Sequence, residues 1–436
     1  MRIKNIFILG LSSILTAPIL LLSSEITLQD GLKILLEKNT QIKLAESKVV
    51  QARCKKLESI SNWFPKLSTQ FSYSKLSEPQ VKLSPQMSIL GSMFPPTLTS
   101  DKLYTGNITI SELIFSSGKV FSAYKISELN YKIAQQEYEK VKTDVAIQYK
   151  EVFYKTLLAK KVVEVTQKAV EISSENYKIS QQLYEEGRVS YLDFSSSKIN
   201  FLNTQANLLK VKNNYSLAKE QLKTILCVDF EVEPVGQLEE FLSEDNFNFT
   251  ELQKNILFLP EVKTLEFQKQ LLKYNLHIVR SEVLPTLAIQ GSYNWTTDDY
   301  NRPLDNWDDR NTWSVVLSWP LFNGGATFAR YKQAKENVEQ VEIGLKSTID
   351  GMRLQLNSLY STYIQLKDSL EISKQSLDLA QENYTVAKSY YLDGRSSYVE
   401  LLQAELNFSS TKINYYQTLT DFLVVVEKLN RFAKIK

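Results

Sequence analysis

Two carboxylates stand at matching distances from two turns: Asp193 is six residues after Gly187, and Glu400 is six after Gly394. An acid so placed falls in the first turn of the helix that follows, where the helix dipole favours negative charge. Several such acids meeting in a narrow, partly dry opening would repel one another, resist ionisation and attract cations. Bond-making chemistry has weaker support. His277 is the only histidine, in a helical stretch beside Leu276 and Ile278, which rules out clusters of several histidines and reads as a packing or surface position rather than a triad member. Asp298-Asp299 and Asp308-Asp309 are expected in an exposed loop, where they are solvated unless they hold a divalent ion. Gly324-Gly325 lacks the G-x-x-x-x-G-K pattern of a phosphate loop and reads as a corner between strand and helix. Cys54 and Cys227, the only cysteines, lie in helical patterns and read as small buried thiols, with a disulfide between them left open. No enzyme, cofactor or metal is expected.

Length and charge narrow the class. The 436 residues include 51 basic and 49 acidic side chains, a net charge of +2. Nucleic acid normally demands a basic stripe, so it is not an expected partner. Only 13 glycines and 11 prolines punctuate the chain, so the elements between turns must be long. Arg2 and Lys4 precede an apolar run over residues 6–22. With no second run of that length, residues 1–24 read as a secretory signal rather than an anchor. Neither cysteine ends that segment, so a lipid anchor is not expected.

The chain is duplicated. Residues 111–201 align with 318–408 at a constant shift of 207, without a gap. "SELIFSSG" falls on "SWPLFNGG", and Gly187-Arg188 on Gly394-Arg395. Upstream, "FPKLSTQFSYS" matches "LPTLAIQGSYN" at a shift of 220, so the first half holds 13 extra residues between these segments. One long unit in tandem explains this better than a solenoid of short repeats. The expected division is 1–24 signal, 25–230 first repeat, 231–250 connector and 251–436 second repeat.

Each repeat opens with a helix, capped in the first by Thr27 and ended at Pro65. Two strands follow with a period of two. Leu67, Thr69, Phe71 and Tyr73 alternate with Lys66, Ser68, Gln70 and Ser72; Tyr104, Ile108, Ile110 and Ile114 alternate with Thr105, Asn107, Thr109 and Ser111. The second repeat has Leu287, Ile289, Tyr293 and Trp295, then Trp313, Val315, Leu317 and Trp319. A half-buried sheet in a soluble domain is one reading. An exported chain with strands of about 9–11 residues, an apolar face and aromatic ends also suits a membrane barrel. Four strands cannot close one, so several chains would share it.

Residues 119–186 contain no proline or glycine, and 326–393 no proline. Some 68 residues of helix span on the order of 100 Å, which no single compact domain buries. Val162, Val165, Ala169, Ile172, Tyr177 and Ile179 form a stripe at coiled-coil-like spacing. Gly187 and Gly394 stop these helices, and new ones rise from about Leu192 and Val399. Each turn is thus the far tip of a helical hairpin.

Helix, strand pair, long hairpin and glycine turn, all duplicated, resemble the TolC-type outer-membrane efflux proteins from "ITLQDGLKILLEKNTQIKLAESKV" to "LTDFLVVVEKLNRF". The resemblance implies a mainly α fold with a membrane β-barrel. Three chains would pool four strands each into twelve, and their duplicated hairpins would form a trimeric α-barrel across the periplasm. It further implies a homotrimer in outer-membrane lipid, with a periplasmic adaptor (membrane fusion) protein and an inner-membrane transporter as partners. "VELLQA" (399–404) is similar to the family's V-D-V-L-D-A, which implies Glu400 as a ring at the narrowest point. Gln403 replaces the second acid of that motif. Tyr391 and Asp193 match a tyrosine–acid lock between tips. The arginine of that lock has no match at Ser396, while Arg395 stands one position earlier. Gly187, Arg188, Val189, Ser190, Tyr191, Gly394, Ser397 and Tyr398 are the tip positions implied to meet an adaptor, through exposed side chains.

The function so implied is a passive exit duct, gated at its periplasmic tip, for efflux or type I secretion. A periplasmic adaptor would need a lipoyl-like β domain and one hairpin; an envelope coiled-coil scaffold would wash off membranes in high salt. Drugs, metal ions and polypeptides all remain open as cargo.

Overall fold

The computed structural model describes residues 24–78, 100–242, 247–301 and 308–433. All but Ser24 of the expected signal, and most of both loops joining the strand pairs, lie outside these residues. In order come β1 (Ser24–Ile26), α1 (Leu28–Lys38), α2 (Thr40–Ile60), β2 (Lys66–Lys75) and β3 (Lys102–Phe115). The first hairpin is α3 (Lys119–Glu185) and α4 (Tyr191–Leu226), followed by β4 (Val232–Pro234). Then come α5 (Phe249–Asn255), α6 (Pro260–Arg280), β5 (Thr286–Thr297), β6 (Asp308–Ser318), and the second hairpin, α7 (Ala326–Leu392) and α8 (Tyr398–Ala433). The described residues form two compact units, each drawn from both halves of the sequence: those within 1–40, 144–246 and 359–431 in one, those within 41–143, 247–358 and 432–436 in the other.

The second of these units holds the four-stranded sheet, in the order β2-β3-β5-β6 and antiparallel throughout. Its register sorts most of the side chains by polarity, since neighbours directly opposite share a face. One face carries Leu67, Phe71, Tyr73, Ile108, Ile110, Ile289, Tyr293, Trp295, Trp313, Val315 and Leu317. The other carries Ser68, Gln70, Ser72, Asn107, Thr109, Gln290, Ser292, Asn294, Thr312 and Ser314. The apolar face is exposed, with Leu67, Trp313 and Val315 72%, 75% and 68% accessible, and so are Ser68, Gln70, Gln290 and Thr312 on the other. Two glycines let tryptophans lie flat across the ladder. A Cβ on Gly106 would stand 2.3 Å from the ring of its partner Trp295, and one on Gly291 2.7 Å from Trp313. β2 and β6 are left as edges, each with a row of unpaired backbone groups. Among the described residues no helix is long and apolar enough to cross a membrane.

In the other unit, the helices close over Tyr149, Phe153, Leu222, Leu226 and Leu419, all essentially inaccessible. Gly31 of α1 is the contact that Tyr149 requires. The Tyr149 hydroxyl donates to the Leu28 carbonyl at 3.2 Å, and a Cβ on Gly31 would stand 1.9 Å from it. Alanine normally stabilises a helix relative to glycine by about 0.5–1 kcal/mol. Here Gly31→Ala is expected to destabilise by about 1–3 kcal/mol through overpacking. A thermal melt of the detergent-solubilised protein checks this; an unchanged or raised midpoint would show that Tyr149 yields.

Several local expectations need correction. The opening helix is two helices, because Asn39 turns extended and its side chain donates to the Ile225 carbonyl at 2.9 Å. α2 stops at Ile60, ahead of Pro65, where Ser59 and Ser61 hydroxyls donate back to the Lys56 and Glu58 carbonyls. Asp308-Asp309 are not in a loop; pairing with Thr296 and Trp295 makes them the start of β6. Both cysteines are free and exposed rather than buried. Cys227 ends α4 in the left-handed region at φ 53°, a terminus rather than a packed face.

Candidate functional site

The two hairpin tips lie in one unit, and their turns are built alike. At the end of α3 the Gly187 N–H donates to the Tyr184 carbonyl at 2.9 Å and the Arg188 N–H to Leu183 at 2.8 Å. At the end of α7, Gly394 donates to Tyr391 at 3.0 Å and Arg395 to Tyr390 at 2.8 Å. This paired pattern satisfies the last helical carbonyls and needs a residue in the left-handed region, which Gly187 (φ 73°) and Gly394 (φ 69°) supply. The next helices are capped by the serine three residues on. Ser190 Oγ accepts from the Asp193 N–H at 3.1 Å and the Ser190 N–H donates back to Asp193 Oδ2 at 3.4 Å, a closed capping box. Ser397 Oγ accepts from the Glu400 N–H at 3.3 Å. Both acids therefore occupy the third position of their helices.

Between the tips is an open crevice of about 480 Å³, lined by Gly187, Arg188, Val189, Ser190, Asp193, Tyr391, Gly394, Ser397 and Tyr398 among others. The structure thus brings nine of the sequence-predicted positions around one space. Beneath it Tyr391, Tyr398 and Leu401 form a buried core, packed against Ile179, Leu183, Tyr384, Ala387 and Leu402. Tyr398 is a correction: expected as an exposed docking residue, it is 0% accessible. The repeat makes the reason visible. Tyr184 and Tyr191 form the same edge-to-face pair in the first hairpin, at 6.0 Å against 5.8 Å for Tyr391 and Tyr398. The first pair is exposed, while the second is covered by α3 of the other hairpin.

The expected Tyr391–Asp193 bond does not form within the chain. The Asp193 carboxylate serves the Ser190 cap, and the Tyr391 hydroxyl lies beside that of Ser180 instead. Burial raises the pKa of Tyr391. Arg395 lies over the Tyr390 ring at 5.0 Å, and Arg188 pairs with Glu186 at 3.4 Å. Glu400, Val399 and Tyr191 are exposed.

Sequence reading missed a polar cluster under the tyrosines. Glu405 is 2% accessible, and its Oε2 accepts from Asn176 Nδ2 at 2.9 Å. Burial pushes this carboxyl up to about 7, against the opposing pull of Asn176 and the Lys388 charge. Lys388 is already paired with Glu175 at 3.1 Å. Asn200 donates to the Tyr398 hydroxyl at 3.4 Å, and burial raises Tyr398 and Tyr384 to about 12. A signal existed: Tyr398, Leu401, Glu405 and Phe408 fall on one helical stripe, and an acid inside such a stripe is conspicuous. Among the described residues no group of three or more His, Cys, Asp or Glu side chains could hold a metal ion.

The sequence profile of the outer membrane efflux protein family matches residues 31–227 and again 257–432. Comparison with curated protein sequences found no significant match. Among solved structures, the CmeC outer membrane channel of Campylobacter jejuni aligns with a TM-score of 0.78 at 16% identity, over 93% of this chain and 85% of that one. VceC of Vibrio cholerae aligns at 0.77 and 13%, over 93% and 95%. The open state of the MtrE outer membrane channel of Neisseria gonorrhoeae aligns at 0.77 and 14%, over 93% and 88%.

Proposed function

Because the chain belongs to the outer membrane efflux protein family, we propose that it is the outer-membrane exit duct of a tripartite efflux or type I secretion system, passive and gated at its periplasmic tip. Family and fold are those of trimeric outer-membrane channels in which each chain adds four strands to a shared barrel and two hairpins to an α-barrel. The observation that carries the reading is the sheet. It has an apolar face, a polar face and two open edges, so it needs further copies before it can stand in lipid, where unpaired backbone groups cost several kcal/mol each. The polar face then lines water, and cargo moves along it under a gradient that other components maintain. The large helical portion is assigned to the periplasm.

At the tip, Glu400 is the residue assigned to the constriction. It is exposed in the single chain and its backbone is fixed by Ser397, so three copies can point into one opening. Tyr391 and Asp193 act beside it through the packing of the tips rather than through a bond to each other, and Arg395 braces the second turn. Arg188, Val189, Ser190, Tyr191 and Ser397, set by Gly187 and Gly394, form the face offered to a periplasmic adaptor, which couples the duct to an inner-membrane transporter.

Single-channel recording in planar bilayers tests this. Small cation-selective currents, blocked by trivalent cations, are expected. Glu400→Ala should weaken the block at least about tenfold, because three charges each contribute on the order of 1 kcal/mol in a wet constriction. Absence of channels from protein shown to be inserted would overturn the reading.

A further inference from the structure

The tip of the second hairpin is joined to the first through polar groups that the ring at Glu400 does not involve. Glu405 of α8 takes one hydrogen bond from Asn176 of α3, and Lys388 of α7 pairs with Glu175 of α3. Both contacts cross the seam between hairpins. Glu405 lies five residues beyond Glu400, about 8 Å along the helix. The groups facing it are Glu175 and Asn176 on α3, Tyr384 and Lys388 on α7, and Tyr398 on its own helix. None gives it a full counter-charge, since Lys388 is shared with Glu175.

Hydroxyls also gather at the seam. The Ser180 and Tyr391 hydroxyls lie side by side there, and Tyr384 Oη is buried without a protein hydrogen bond. The acid is not a relic of duplication. Its counterpart in the first repeat, 207 residues earlier, is Lys198, which is exposed.

We propose that Glu405 is a protonation site that latches the two hairpins: neutral, it stays buried in the seam beside Asn176, and ionised, it draws in water, loosens the seam and favours the open tip. This rests on the duct reading above. The sign follows from linkage. Burial raises the carboxyl from 4.5 to about 7 in the closed seam, and opening returns it towards 4.5. The latch is therefore at full strength below about pH 4.5 and is lost as pH rises through about 7, so the opening constant climbs up to about tenfold per pH unit in that window and then levels.

Planar-bilayer conductance of the full-length trimer, recorded from about pH 5 to about pH 8, reads this directly. Wild-type opening should rise across the window. Glu405→Gln, which keeps shape and hydrogen bond, should stay shut and show no such rise. Asn176→Ala removes a donor to the charged form and should move the midpoint up by about one pH unit. In Glu400→Ala the pH dependence should persist. A rise of equal size in Glu405→Gln would overturn the latch while leaving the duct intact. If no variant forms channels, the duct reading fails instead. The carboxyl band of the solubilised trimer, by infrared difference against Glu405→Gln, then decides: a midpoint near 7 supports the protonation site, and one near 4.5 overturns it.

Discussion

Ile108→Arg is expected to abolish stable membrane assembly. Ile108 lies mid-strand in β3, opposite Thr69 and Tyr293, on the face that also carries Phe71, Trp313 and Val315. An arginine facing lipid near the middle of a barrel costs about 2–4 kcal/mol, and a trimer carries the substitution three times. The total is of the order of the whole stability of an ordinary domain. Thr109→Arg, one residue on, is the control. It points to the polar face, opposite Ser68 and Ser292, so assembly should survive and only ion selectivity should shift. Trimer yield on native gels after detergent extraction separates the two. The reverse result, with Thr109→Arg failing and Ile108→Arg assembling, would mean that the faces are assigned backwards.

Leu401→Ala is expected to leave the duct open at its tip. Leu401 is wholly inaccessible between Tyr391 and Tyr398, where α3, α7 and α8 meet. Truncating such a leucine costs about 2–5 kcal/mol, the higher values where the surroundings cannot collapse. The helices themselves survive on their other contacts, so the loss falls on the seam. At about 1.4 kcal/mol per factor of ten, the opening constant should rise more than tenfold, seen as larger and longer currents and as uptake of bulky solutes through the outer membrane. Leu192→Ala, on the exposed side of the first tip at 72% accessibility, should change neither. A native trimer with unchanged currents in Leu401→Ala would show that the tyrosine core is not what holds the tip shut.

Much of this architecture was legible before any coordinate. The long helices expected over 119–186 and 326–393 are Lys119–Glu185 and Ala326–Leu392. Glycine turns and serine caps act within a few residues, so a local reading finds them. The strands were equally plain, because a period of two cannot be mistaken for a helix when it persists in four segments. Errors collected where a distant partner decides. Asp308-Asp309 joined β6 because β5 lay alongside, and the opening helix broke at Asn39 because the Ile225 carbonyl offered its amide a bond. The Tyr391–Asp193 lock was read from a pattern, while the nearest partner for Asp193 was its own helix cap.

The sequence by itself determined the long helices, the four sheet strands, their duplication and the two faces of the sheet, since each depends on periodicity or on capping over a single turn. Only the tertiary structure decided which of two matching tyrosine pairs is buried and which acid is. Tyr184 and Tyr191 have the same local setting as Tyr391 and Tyr398, yet one pair is exposed and the other covered. Glu400 and Glu405 sit on one helix, five residues apart, and only Glu405 is enclosed. Burial is a property of what packs from elsewhere in the chain, and a repeated sequence cannot encode it twice with different outcomes.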